Sequence, residues 1–308
     1  MKRVMIKTVN LTKKYGDFTA VKDLNLEVYE GEFFCLLGPN GAGKTTTFLM
    51  LLGLTRPTYG SAWIEDCDII RNPLEARKRA GFVPEVPGLY DDLTARENLT
   101  FTAELNGVPK SVREKRIKDL LDKVDLKGWA DVKVGKFSRG MKQRLAIADA
   151  LIKEPKVLML DEPTAGIDPK GSEEILSLLE NLSRKEGITI LMSSHLLHHV
   201  EKYGDRIAIM KKGEIVATGS ISSLVKEENI VEIDLEGVDE ALISELNRLD
   251  GVKEVERRGN KLIIVAQRDI RREVFDVASK IGKKVISVKL TQSLERIYAK
   301  YFREEEIR

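Results

Sequence analysis

The sequence contains no apolar run approaching the roughly 20 residues that a membrane-crossing helix needs, so the chain is not expected to form a path through a bilayer. Its first residues, Met1-Lys2-Arg3-Val4, lack the apolar core of a secretory signal. Neither charge dominates: 51 Lys and Arg stand against 49 Asp and Glu, a net charge of +2, which argues against a protein that coats nucleic acid. Cysteine is scarce. Cys35 and Cys67 are the only two, and they read as reduced core residues, a usage that suits the cytoplasm. What the chain does have is charge of both signs, 32% of its 308 residues, which implies a solvated, ion-pair-rich surface resembling a thermophile's. The length allows one large domain or two.

The most informative stretch runs from Phe33 to Thr46. Phe33-Phe34-Cys35-Leu36-Leu37 has no polar alternation and predicts a strand buried on both faces of a parallel sheet. Gly38-Pro39-Asn40-Gly41-Ala42-Gly43-Lys44-Thr45-Thr46 follows, and a helix is expected over 45–54. The glycines let backbone N–H groups face inward, and the first helical turn adds amides with no partner inside the helix. Lys44 would reach β- and γ-phosphates, and the Thr45 hydroxyl would serve Mg²⁺. Such a pattern arises by chance on the order of once per hundred sequences of this length. Nucleotide binding follows from it, but kinases, GTPases, motors and transporters share it.

Other segments supply chemistry around this cradle. Strands are expected over 4–14, 21–29 and 61–64, with Tyr15 in a turn before Gly16-Asp17. Ala80 to Val83 reads as a short strand that leads through Pro84 to Glu85. The texture is helical from about 89 to 153: Thr94-Ala95-Arg96-Glu97 is a capping box, and Ser111 is expected to open a second helix with Ile117, Leu120, Leu121 and Val124 as its apolar stripe. Ser138 precedes Arg139-Gly140 at the start of the last helix of this block, so its hydroxyl and the free amides could receive an anion. Val157 to Leu160 is a second all-apolar strand, ending in Asp161 and Glu162. Carboxylates at the carboxyl edge of a parallel sheet lie where ligands bind. There Asp161 would hold Mg²⁺ and Glu162 would polarise an attacking water. Ala165-Gly166-Ile167-Asp168 precedes a helix expected from Ser172 to Lys185, and a third buried strand, 188–192, leads to Ser193-Ser194-His195.

Tyr15, Gly38 to Thr46, Glu85, Ser138 to Arg144, Asp161-Glu162, Ala165 to Asp168 and His195 fall in the order and spacing of ATP-binding-cassette (ABC) ATPases. They resemble, in turn, that family's aromatic loop, Walker A motif, Q-loop, signature, Walker B motif, D-loop and switch histidine. The resemblance covers about residues 4–220. It implies an α/β P-loop ATPase domain over 1–226 with an inserted helical subdomain at about 89–153. It also implies ATP and Mg²⁺ as cofactors, catalytic roles for Glu162 and His195, and metal contacts from Thr45, Asp161 and Glu85. Nucleotide contacts would come from Tyr15, Gly38, Pro39, Asn40, Gly41, Ala42, Gly43, Lys44, Thr45 and Thr46, and from Ser138, Gly140 and Asp168 of a second chain in a head-to-tail homodimer.

Two positions depart from the family pattern. Glu85 stands for the usual glutamine, and Arg139 stands in Phe137-Ser138-Arg139-Gly140 where Leu-Ser-Gly-Gly is usual. The texts Gly88 to Thr94 and Ser138 to Arg144 look most like cassettes that serve ABC-2-type exporters. The resemblance therefore implies an ATPase subunit powering export through a separate transmembrane (permease) subunit. Membrane contact would come only through that partner, with no nucleic-acid partner and a cytoplasmic place on the inner face of the membrane. A soluble cassette ATPase acting on nucleic acid or ribosomes is the competing class. Those commonly carry two cassettes or a long coiled coil, and this chain shows one phosphate loop. A non-hydrolysing sensor would lack Glu162 or His195.

From about 229 to 308 the motifs stop and the pattern reads β-α-β-β-α-β, an α+β domain of the ferredoxin-like type, followed by a helix over 293–302. No aromatic-rich strand suggests RNA binding. A regulatory or dimerisation role is expected for it.

Overall fold

The computed structural model describes residues 2–226 and 229–291, with 294, 298, 301 and 302. Contacts divide the chain into two units, Met1–Thr218 and Gly219–Arg308. The boundary expected from the sequence, between 226 and 229, lies several residues later.

The first unit contains two sheets. One is antiparallel, in the order β2-β1-β4-β5, from β1 (Val4–Tyr15), β2 (Phe18–Tyr29), β4 (Tyr59–Ile64) and β5 (Cys67–Asp68). Tyr15 pairs with Phe18 across a two-residue turn, and Gly16 takes the positive φ of 57° that such a turn requires. The other sheet has the order β10-β9-β3-β8-β7-β6, formed by β3 (Phe33–Leu37), β6 (Ala80–Val83), β7 (Val157–Leu160), β8 (Thr189–Ser194), β9 (Arg206–Lys211) and β10 (Glu214–Ser220). From β9 to β6 every pairing is parallel. Every residue of β3, β7 and β8 is buried. The apolar runs of β3 and β7 follow from burial on both faces, and the antiparallel sheet shares the core on one of them.

Parallel pairing brings the carboxyl ends of β3, β6, β7 and β8 to one edge. The phosphate loop, Glu85, Asp161-Glu162 and His195 follow those four strands. Three segments that are far apart in sequence thus come to the loop's edge of the sheet because of strand order alone.

The helices of this unit are α1 (Lys44–Leu51), α2 (Pro73–Arg79), α3 (Ala95–Leu105), α4 (Lys110–Lys123), α5 (Arg139–Leu151), α6 (Pro169–Glu186) and α7 (Leu197–Tyr203). The expected capping box of α3 forms in full: Thr94 Oγ1 accepts from the Glu97 amide at 3.1 Å, and Glu97 Oε2 accepts from the Thr94 amide at 2.7 Å. Helix α4 begins at Lys110, not at Ser111. The Pro109 carbonyl accepts from the Val112 and Arg113 amides, and no side chain caps this end. The expected stripe on α4 is correct, with Ile117, Leu120, Leu121 and Val124 all buried. Helix α6 starts earlier than expected because Pro169 occupies its first turn and Asp168 caps it, the side chain accepting from Gly171 N–H at 3.1 Å. It ends where Gly187 takes φ 70°. Cys35 and Cys67 are buried and unlinked. Among the described residues no helix is long and apolar enough to cross a membrane.

The second unit comprises α8 (Ile221–Lys226), β11 (Asn229–Leu235), α9 (Glu240–Asn247), β12 (Val252–Arg258), β13 (Lys261–Ala266), α10 (Arg271–Lys280) and β14 (Val285–Thr291). Its strands form an antiparallel sheet in the order β12-β13-β11-β14. Val231, Ile233, Leu262 and Ile264 alternate onto one face and share a core with Leu242 and Leu246 of α9 and Val274 and Ala278 of α10. The expected helix over 293–302 falls mostly outside the described residues.

Candidate functional site

A cleft of about 230 Å³ opens at the carboxyl edge of the parallel sheet. It is lined by Asn40 to Thr46, Glu85, Asp161, Glu162, Phe18 and Ala20. The loop turns as its glycines allow: Gly41 has φ 79° and Gly43 φ 105°, values that a side chain would strain. Gly43 also has no room for a Cβ, which would lie 2.6 Å from the Ala20 carbonyl oxygen.

Lys44 is buried under this loop, and its ammonium donates to the carbonyls of Gly38 at 2.7 Å and Pro39 at 3.1 Å. A third direction is taken by Glu162, whose Oε1 lies 3.2 Å from Lys44 Nζ. The other carboxylate oxygen, Oε2, accepts from His195 Nδ1 at 2.8 Å, joining the ends of β7 and β8. Glu162 is a non-glycine residue at φ 46°. A left-handed residue of this kind costs on the order of 1–3 kcal/mol, and such strain clusters where side chains are aimed for function.

Asp161 is held in a different network. Its Oδ2 accepts from Thr45 Oγ1 at 2.6 Å and its Oδ1 from Ser193 Oγ at 2.6 Å. Ser193 Oγ in turn accepts from the Glu162 amide at 2.8 Å. One buried hydroxyl therefore fixes both acids. The Thr45 hydroxyl and the Asp161 carboxylate are hard oxygen donors within one hydrogen bond of each other, the kind of pair that takes Mg²⁺ alongside phosphate oxygens and water. Among the described residues no cluster of three or more acidic, His or Cys side chains forms a cage for a metal ion.

The remaining residues singled out from the sequence lie elsewhere. Tyr15 is half-exposed at the end of β1, with Lys13 Nζ 4.8 Å from its ring centre, and does not line the cleft. Its hairpin partner Phe18, 65% exposed, does. Ser138 caps α5, accepting from the Met141 amide at 3.3 Å, and Asp168 caps α6. Neither they nor Gly140 line the cleft.

Sequence reasoning missed Phe18 and Ser193. A paired position across a tight turn could have indicated Phe18. No local signal marks Ser193, whose role follows from the adjacency of β7 and β8. A wider cleft of about 640 Å³ lies along α4, but two of its cations, Arg116 and Lys123, are already paired with Glu154 and Glu186.

The chain is similar to several known proteins. Residues 21–165 match the family model of the ABC transporter. The bacitracin transport ATP-binding protein BcrA of Bacillus licheniformis is 45% identical over 212 residues, 69% of this chain and 68% of that protein. The linearmycin resistance ATP-binding protein LnrL of Bacillus subtilis is 36% identical over 254 residues, 82% and 81% of the two chains. Among solved structures, cbiO1 of Clostridium perfringens, part of the cbiONQ ABC transporter complex, superposes with a TM-score of 0.68 at 30% identity, covering 80% of this chain and 96% of that one. The cassette MJ0796, a dimer bound to ADP and Pi, does so with a TM-score of 0.64 at 31% identity, covering 70% and 98%.

Proposed function

As the chain belongs to the ABC transporter family of ATP-binding proteins, whose activity is ATP hydrolysis, we propose that it powers export through a separate permease subunit on the inner face of the membrane. The observation that carries this reading is the convergence in one cleft of Lys44, Glu162 and the Thr45–Asp161 pair, with His195 bonded to Glu162 beside it. Relatives named for bacitracin transport and linearmycin resistance support export as the direction.

In this reading the amides of 40–46 and the Lys44 ammonium hold the β- and γ-phosphates. Thr45, Asp161 and Glu85 would hold Mg²⁺, which when bound neutralises charge on the phosphate oxygens. Glu162 takes a proton from water as its oxygen bonds to the γ-phosphorus and the bond to the ADP oxygen breaks. His195 orients the γ-phosphate and steadies Glu162. Tyr15 or Phe18 stacks on the base. Ser138, Gly140 and Asp168 line the corresponding site of a second copy, so that two chains close two sites. The second unit, with its β-α-β-β-α-β order and antiparallel sheet, is read as ferredoxin-like and as a regulatory or dimerisation module.

The partner is tested by purifying tagged full-length chain from detergent-solubilised membranes of its native host. A membrane-spanning protein in constant ratio to the chain is expected. A chain recovered wholly from the soluble fraction, with no membrane protein attached, would contradict coupling to transport.

A further inference from the structure

We propose that Arg139 is a positioning residue for hydrolysis: it seats the 165–168 loop and, through that loop, aims the Glu162 carboxylate. The inference rests on the reading of Glu162 as the base.

The first observation is where the guanidinium lies. A Cβ built on Gly166 would fall 2.3 Å from Arg139 Nη1, 2.7 Å from Cζ and 3.2 Å from Nε. Arg139 thus fills the space that a side chain at 166 would need, and Gly166, at φ 66°, leaves it open. A neighbouring contact repeats the arrangement, since a Cβ on Gly140 would lie 3.7 Å from Ile167 Cγ2. The start of α5 and the loop therefore meet at two successive residues of each.

The second observation is that α5 has no use for this charge. A cation in the first turn opposes the helix dipole. That turn contains no acidic residue, and among the described residues no carboxylate pairs with Arg139. Lys142, one turn on, is paired with Asp91 at 2.7 Å. Arg139 is left to its contact with the loop.

The third observation connects the loop to the base. Ala165 N–H donates to the Glu162 carbonyl at 3.0 Å, and Ile167 N–H donates to that of Thr164 at 3.2 Å. Asp168, closing the run, is fixed as the cap of α6. The loop is thus a braced series of turns anchored on Glu162 itself. Because Glu162 sits at φ 46° and not in regular strand, its backbone takes its direction from these turns. Movement of the loop would re-aim a carboxylate that now lies within 3.2 Å of Lys44 and 2.8 Å of His195. Misplacement on the order of 1 Å can cost about 100-fold in rate.

The test is steady-state Mg-ATPase of the full chain with thermal midpoints. Arg139→Ala is expected to lower kcat by about 10- to 100-fold with KM for ATP and the midpoint unchanged. A merely structural role would move the midpoint with the rate. Gly166→Ala should also lower kcat, through the clash with Arg139 and through strain at φ 66°. Wild-type kcat in Arg139→Ala, or a thermal midpoint that falls with its rate, would overturn the inference. So would full recovery by Arg139→Lys, which keeps the charge without the planar fork. Glu162→Gln serves as the reference. Wild-type turnover by that variant removes the base assignment and this inference together, whereas an inactive Glu162→Gln beside a fully active Arg139→Ala removes this inference alone.

Discussion

Lys44 and Glu162 form a buried ion pair at 3.2 Å, directly under the loop that would receive phosphate. Glu162 Oε1 makes no aligned hydrogen bond, so its link to the ammonium is one of charge. The carboxylate thereby occupies, electrostatically, the place an incoming phosphate would take, and nucleotide must compete with it for Lys44. Removing one member of a buried pair leaves the other charge uncompensated. Glu162→Gln should therefore bind ADP more tightly, by roughly 10-fold, or about 1.4 kcal/mol. Titration calorimetry with ADP checks this without interference from turnover. Equal or weaker ADP binding would show that the pair does not compete with phosphate.

Ser193 is the second point of leverage, because its hydroxyl serves both acids at once. Alanine there leaves the buried Glu162 amide and one Asp161 oxygen without a partner. Each such loss costs about 1–3 kcal/mol. Ser193→Ala should lower stability by that order in chemical denaturation and raise the Mg²⁺ concentration needed for half-maximal turnover. An unchanged denaturation midpoint with an unchanged Mg²⁺ titration would make the hydroxyl incidental.

The two hairpin aromatics can be told apart by substitution. Phe18 lines the cleft, while Tyr15 is engaged by Lys13. Stacking on a base contributes about 1–3 kcal/mol. Phe18→Ala should weaken ADP binding by about 5- to 100-fold, and Tyr15→Ala should have the smaller effect. The reverse order, measured in the same titration, would restore Tyr15 as the stacking residue.

The parts of this site legible in the sequence are those at the ends of uninterrupted apolar runs. Leu36-Leu37 before Gly38 and Met159-Leu160 before Asp161 announce buried strands, and buried parallel strands end where ligands bind. Helix α3 was legible through its cap and α4 through its stripe. Helices α2 and α7 were not, because each is seven residues long. Only Ala76 of α2 is buried, so no periodicity develops. Ser193 was hidden for another reason: its bond to Asp161 exists because β8 lies between β3 and β7, and strand order is not written in any local pattern. Arg139 could be recognised as a departure from its family's motif, but its seat over Gly166 required coordinates.

His199 gives the chain a pH dependence of definite sign. Burial first, and then the neighbouring His198, hold its pKa below the ordinary 6.5, against the opposing pull of Glu173. The unfolded chain therefore binds this proton more readily than the folded one. The stability that His199 contributes is complete above about pH 6.5 and declines as the pH falls below it. Denaturant midpoints between pH 7.5 and 5.5 should show a shallower decline for His199→Gln than for wild type, by less than about 1.4 kcal/mol per pH unit. Parallel curves would remove His199 as the cause.

The central claim is that Glu162 polarises the attacking water in a site completed by a second chain. A general base of this kind contributes about 10²–10⁴-fold in rate. Glu162→Gln keeps the shape and removes the base, while Lys44, Thr45, Asp161 and the loop amides remain to bind ATP. The decisive measurement is Mg-ATPase rate together with size-exclusion mass, taken for this variant in ATP and in ADP. Turnover lowered by at least about 100-fold, with a dimer in ATP and a monomer in ADP, is what the account predicts. Wild-type turnover, or an inactive variant that stays monomeric in ATP, would contradict it.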